Sequence, residues 1–122
     1  MQYISTRGSA PTLDFEGATL AGLASDGGLY LPSQWPRFTA AAIDDMRGLP
    51  YHALAARELA PFVEGSLTRE ELEALCHAVY GDFGHKAVTP LVQMDETHWL
   101  LELFHGPTLA FKDVAMQLLA RL

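Results

Sequence analysis

The spacing of apolar positions divides the chain into a mixed opening, a helical middle and a strand-bearing end. Gln2 to Ser5 has strand character, and Thr6-Arg7-Gly8-Ser9 reads as the loop after it. From Asp14, a suitable N-cap, the spacing of Phe15, Leu20 and Leu23 predicts a helix. It should stop before Asp26-Gly27-Gly28, a strong turn signal, after which Leu29-Tyr30-Leu31 forms a short strand ended by Pro32. Residues 39–80 carry three helical segments, about Ala40 to Met46, Tyr51 to Phe62 and Arg69 to Tyr80. The third has the fullest local support. Thr68 and Glu71 fit a capping box, and Leu72, Leu75, Cys76 and Val79 make one apolar stripe. Gly81 follows where a helix end favours glycine. Pro61 is expected to end or kink the second segment.

After Gly84 the pattern changes. Val88 to Val92 and Trp99 to Phe104 read as strands, the second so apolar that burial on both faces is expected. His105 to Ala110 is a loop, and a helical pattern runs from Phe111 to Leu122 with no Gly or Pro to stop it. A strand, a loop and a helix without a second parallel strand is half of a βαβ unit. The pattern therefore reads as a piece of a longer chain, with a small domain ending on a helix as the alternative.

Composition narrows the class. At 122 residues, with 49% apolar and 19% charged positions, the chain can bury a core. A net charge of −7 argues against nonspecific nucleic-acid binding. No apolar run approaches the roughly 20 residues needed to span a bilayer, so no membrane partner is expected. Cys76 is the single cysteine and no secretory signal is visible, which points to a reducing, cytoplasmic setting. His52, His77, His85, His98 and Cys76 lack metal-ligand spacing, and no structural zinc is expected. Asp44-Asp45 and Glu70-Glu71 read as solvated helix faces.

The candidate chemistry lies in Leu103-Phe104-His105-Gly106-Pro107-Thr108-Leu109-Ala110-Phe111-Lys112-Asp113. A buried strand there feeds a Gly-Pro loop that delivers Lys112 to the start of a helix. The positive helix terminus, and burial among Phe104, Leu109 and Phe111, would both favour the neutral amine. A neutral amine is the nucleophile that Schiff-base chemistry requires. By local physics alone, a lysine in such a place is more often a solvated surface charge.

The segment Leu103 to Asp113 resembles the lysine motif of the threonine synthases, pyridoxal-phosphate enzymes of the tryptophan synthase β-like fold. Tyr3-Ile4-Ser5-Thr6-Arg7-Gly8 and Asp26-Gly27-Gly28-Leu29-Tyr30-Leu31-Pro32 resemble that family's opening signatures, in the same order. The resemblance implies an α/β fold. Residues 1–86 would form a mostly helical N-terminal domain with short strands. Residues 87–122 would supply the first strand and helix of a fold-type II pyridoxal-phosphate domain, left incomplete.

It further implies that Lys112 holds pyridoxal 5′-phosphate as a Schiff base. The reaction would be O-phospho-L-homoserine and water to L-threonine and phosphate, with Lys112 as proton carrier. Phe111 is open to packing on the cofactor ring or in the core. Thr108, His105 and Arg7 are open to substrate contact or to ordinary loop and surface roles. Asp113 either orients the loop or caps the helix, with capping preferred. No glycine- and serine-rich cradle for the cofactor phosphate is present, so the chain alone is expected to be inert and to need the remainder of its parent. Exposed apolar surface makes self-association of the piece a further expectation. The competing functions are a threonine-synthase-like phospho-lyase on the same scaffold and a noncatalytic helical interaction domain.

Overall fold

Short-range signals account for most of the element boundaries. In the structure, a computed structural model describing all residues Met1–Leu122, Asp14 accepts a hydrogen bond from Gly17 N at 2.8 Å and so caps the first helix. The order is β1 (Tyr3–Ser5), α1 (Phe15–Ala21), β2 (Tyr30–Pro32), α2 (Ala40–Asp44), α3 (Tyr51–Val63), α4 (Arg69–Tyr80), β3 (Leu91–Gln93), β4 (Trp99–Leu101) and α5 (Asp113–Leu119). Helix α1 ends earlier than the turn signal suggested, at Gly22, whose φ of +65° breaks the helical run. Pro61 sits inside α3, which continues to Val63. The chain divides into two compact units, Met1–Asp45 with Arg57–Arg69, and Met46–Ala56 with Glu70–Leu122.

In the first unit, β1 and β2 pair antiparallel, Ile4 opposite Leu31. The turn before β2 is organised by Asp26. Its Oδ1 accepts from Ser5 Oγ at 2.7 Å and Gly28 N at 2.9 Å, and its Oδ2 accepts from Ser9 N and Ala10 N, both at 2.9 Å. Gly27, at φ +79°, turns the chain there in a region that side chains disfavour. On α3, Phe62 carries an edge contact with Trp35, and its carbonyl accepts from Tyr3 Oη at 2.8 Å.

The Asp26 network has a pH consequence. The Ser5 hydroxyl above all, against an opposing effect of burial and helped by the amides of Gly28, Ser9 and Ala10, holds the Asp26 carboxyl down at about 2, from 3.8. A carboxyl whose folded pKa lies below its unfolded one stabilises the fold fully above the unfolded value and loses that contribution as pH falls through the folded one. Melting midpoints of the wild type and Asp26→Asn should therefore differ above about pH 4 and converge as pH falls toward about 2. A gap that stays constant across that interval would remove Asp26 as the source.

In the second unit, the α4 stripe forms the core as its spacing predicts. Leu72, Cys76 and Val79 are 2%, 0% and 3% exposed, with Tyr80, Phe83, Val88 and Leu118 also buried. Burial raises the Cys76 thiol pKa, which suits an inert packed residue. Tyr80 packs edge-on against Tyr51 at 5.0 Å between ring centroids and donates to Val114 O at 2.9 Å, tying α4 to α5. Arg121 Nη1 adds a bond to Ala78 O at 3.2 Å.

The strand expectations need correction. Val88 belongs to no strand: its φ of +56°, in a side chain 1% exposed, turns the backbone away from extension. Strand β3 therefore starts at Leu91 and pairs antiparallel with β4, Val92 opposite Leu100. Far from being buried on both faces, β4 is exposed throughout, Trp99, Leu100 and Leu101 at 56%, 46% and 49%. A two-stranded hairpin has no layer of its own to cover either face. Helix α5 is likewise shorter than the pattern, Asp113–Leu119 instead of Phe111 to Leu122.

Candidate functional site

Residues 102–112 connect β4 to α5 and contain most of the candidate residues. The loop leaves the hairpin with Glu102 N donating to Pro90 O at 3.0 Å. Glu102 Oε2 then pairs with His105 Nε2 at 2.6 Å, both side chains about four-fifths buried at 20% and 19% exposure. The His105 carbonyl accepts from Gly84 N at 2.8 Å, and its ring stands near those of Phe104 and His85, at centroid distances of 4.7 and 5.1 Å. His105 is thus a satisfied, oriented histidine with a carboxylate partner three residues earlier.

Gly106 begins the next part. It is buried, and a Cβ there would stand 2.5 Å from Asp113 Oδ2 and 2.8 Å from Asp113 Cγ, which no real side chain tolerates. Asp113 is itself 3% exposed. Its Oδ2 accepts from Thr108 N at 2.8 Å, and its Oδ1 accepts from Thr108 Oγ1 at 2.8 Å and Gln117 Nε2 at 3.2 Å. Burial disfavours the charged carboxyl, but these donors outweigh it and bring the Asp113 pKa below its usual value. The preferred capping role for Asp113 is therefore corrected. Its carboxylate reaches back to the loop at Thr108, because Gly106 leaves room for it.

Between those ties the backbone turns sharply. Leu109 has a φ of +60°, its N–H donates to Gly106 O at 3.1 Å, and its side chain is 73% exposed. Lys112 then occupies the N-cap of α5 with φ −64° and ψ −21°, and its side chain makes no capping bond. Its carbonyl accepts from Ala115 N at 3.1 Å and Met116 N at 2.8 Å, so the backbone beneath the amine is fixed by the helix. The side chain is exposed, not buried among Phe104, Leu109 and Phe111, which are themselves 49%, 73% and 64% exposed. Those three lie on an open loop and offer no apolar enclosure. The exposure of Phe111 also removes core packing as its role within this chain.

Arg7 lies in the first unit, on the loop after β1, and its Nη1 donates to Asp26 O at 3.1 Å. No group of three His, Cys, Asp or Glu side chains stands close enough to hold a metal ion. No helix is long and apolar enough to cross a membrane. Sequence reasoning missed Glu102 and the Gly106–Asp113 contact. The first had a signal, a Glu and a His three residues apart; the second joins residues across a Gly-Pro loop whose path no periodicity records.

A family model described as threonine synthase N terminus matches residues 2–80. A threonine synthase of Pseudomonas aeruginosa is 58% identical over 122 residues, covering 100% of this chain and 26% of that protein. A threonine synthase of Methylobacillus glycogenes is 44% identical over 131 aligned residues, covering 100% of this chain and 27% of that protein. A crystal structure of PLP-bound threonine synthase from Brucella melitensis superposes with a TM-score of 0.95 at 57% identity, covering 99% of this chain and 26% of that one. The chain therefore spans about a quarter of the length of these relatives. It is a mixed α/β piece that matches the N-terminal region of solved threonine synthases, and it belongs to the threonine synthase family.

Proposed function

We propose that this chain supplies the covalent lysine, Lys112, of a pyridoxal-phosphate enzyme that converts O-phospho-L-homoserine and water to L-threonine and phosphate. The observation that carries the reading is an exposed, uncapped primary amine, set on fixed backbone at the end of the motif loop. The similarity to a PLP-bound threonine synthase supports the cofactor. The relatives at 58% and 44% identity carry the name threonine synthase, which favours this reaction over the phospho-lyase and over a noncatalytic domain.

The residues present fit one part of what the cofactor needs. Lys112 offers a reachable amine, and Phe111, beside it and exposed, offers an aromatic face for the cofactor ring. No glycine- and serine-rich phosphate cradle accompanies them, so the phosphate grip belongs to the remainder of the parent chain. Residues 1–86 act as the N-terminal domain and residues 87–122 open the catalytic domain. When bound, pyridoxal phosphate supplies an electron sink for carbanions formed on the substrate. Lys112 would hold the cofactor through Nζ and, when free of it, would carry protons between substrate carbons. Of the residues open to substrate contact, Thr108 and His105 have their side chains engaged by Asp113 and Glu102, which leaves Arg7 as the contact proposed from this chain. Arg7 keeps guanidinium donors beyond the one given to Asp26 O.

Borohydride reduction of the full-length protein with pyridoxal phosphate, followed by peptide mapping, tests the assignment. The chain has two lysines, Lys86 and Lys112, so the map has an internal control. Label confined to Lys112 is the expected result. Label on Lys86, or on no residue of this chain, overturns it.

A further inference from the structure

Asp113 is the one buried charged side chain of the second unit, yet it lies next to a lysine whose own side chain is free of capping bonds. Three observations converge on it. Its carboxylate collects two donors from Thr108 and one from Gln117. Gly106 is packed so closely against it that any larger residue would collide with the carboxylate. Thr108 directly precedes Leu109, whose φ of +60° is unfavourable for a leucine. Such a conformation persists only where its surroundings over-determine it. Leu109 is mostly exposed, so packing cannot hold it. The ties on either side do: Gly106 O accepts from Leu109 N, and Thr108 is clamped to Asp113.

We infer that Asp113 is a positioning residue, a latch that locks the loop 105–111 onto the start of α5 and so fixes the direction in which Lys112 presents its amine. The inference rests on the reading of Lys112 as the cofactor lysine. The latch acts through geometry. Asp113 is one residue from Lys112, and its bonds run back to Thr108 and forward to Gln117, so the backbone carrying the amine is gripped from both sides. The lowered Asp113 pKa agrees with a carboxylate that stays charged and bound at neutral pH. Since a misplacement of about 1 Å in a reacting group can cost about a hundredfold in rate, a loosened latch should appear in turnover more than in substrate binding.

The test uses the full-length protein with Asp113→Ala, Asp113→Asn and Thr108→Val, read by borohydride labelling, by kcat and KM for O-phospho-L-homoserine, and by circular dichroism of the bound cofactor. Asp113→Ala should still label Lys112, with kcat lowered by about a hundredfold, KM changed much less and the cofactor's dichroic band weakened. Asn keeps an acceptor for Thr108 N, while the Thr108 hydroxyl and the Gln117 amide can turn to accept from its NH2 group. Asp113→Asn should therefore recover to within about tenfold of the wild type, the scale of one altered hydrogen bond. Thr108→Val keeps the main-chain tie, and a loss of about tenfold in kcat is expected. If Asp113→Ala fails to fold, Thr108→Val and Asp113→Asn carry the test. Unchanged kcat and dichroism in Thr108→Val, or in a folded Asp113→Ala, would overturn the latch. Absence of label on Lys112 in the wild type would instead overturn the reading of Lys112, so the two failures are separable.

Discussion

Lys112→Ala in the full-length protein is expected to abolish covalent capture of pyridoxal phosphate and to lower kcat by about a thousandfold or more. The magnitude combines two losses. The side chain is both the nucleophile that binds the cofactor and the proton carrier, and general acid–base catalysis alone contributes about 100- to 10,000-fold. Lys112→Arg separates charge from amine, because a guanidinium keeps the positive charge but stays protonated and cannot attack a carbonyl. It should therefore fail nearly as completely as alanine. A small primary amine added to Lys112→Ala should return part of the turnover, since it replaces the missing proton carrier. Lys86→Ala is the matched control, removing the chain's other lysine while leaving trapping and turnover intact. Lys112→Ala with kcat within tenfold of the wild type would sink the assignment.

The features legible in the sequence were those set by a few neighbouring residues. The Asp14 cap, the α4 stripe of Leu72, Cys76 and Val79, and a short strand after the Asp26-Gly27-Gly28 turn each follow from local chemistry, and each is present, the strand one residue later than expected at Tyr30–Pro32. Features that depend on distant partners were not legible. The apolarity of Trp99 to Phe104 records a preference for burial, but burial needs a covering layer, and residues 1–122 leave the hairpin open on both faces. Val88 gives no hint in its side chain that its backbone turns left-handed. At the candidate site, the motif located the lysine, and the loop geometry then reassigned its neighbours. Asp113 was weighed as a helix cap because its carboxylate stands in a first turn. It faces Thr108 instead, since Gly106 removes the atom that would have blocked it. For His105, open in the sequence to substrate contact or to an ordinary loop role, Glu102 three residues earlier supplies the partner of Nε2. A glycine chosen for close approach and a carboxylate that reaches backward are properties of a path in space, which spacing alone does not encode.

The stability of the second unit should rest most heavily on Leu72. It is 2% exposed, among the three largest fully buried side chains, and shares its stripe with Cys76 at 0% and Val79 at 3%. Burying a leucine contributes roughly 1.5–3 kcal/mol by transfer from water. Truncation to alanine also leaves a void, because the surrounding helix relaxes only in part. Leu72→Ala is therefore expected to destabilise by about 2–5 kcal/mol, a large share of the roughly 5–15 kcal/mol typical of a whole domain. Leu72→Met nearly conserves volume and should cost under about 1.5 kcal/mol. Leu75→Ala, at a half-buried position of the same helix, should fall well short of the Leu72→Ala value. Urea unfolding followed by far-ultraviolet circular dichroism measures all three. The midpoint should shift while the slope holds, since the surface exposed on unfolding barely changes. Should Leu72→Ala and Leu75→Ala shift the midpoint equally, the core would not be centred on the α4 stripe, and the burial pattern would not be what holds this unit together.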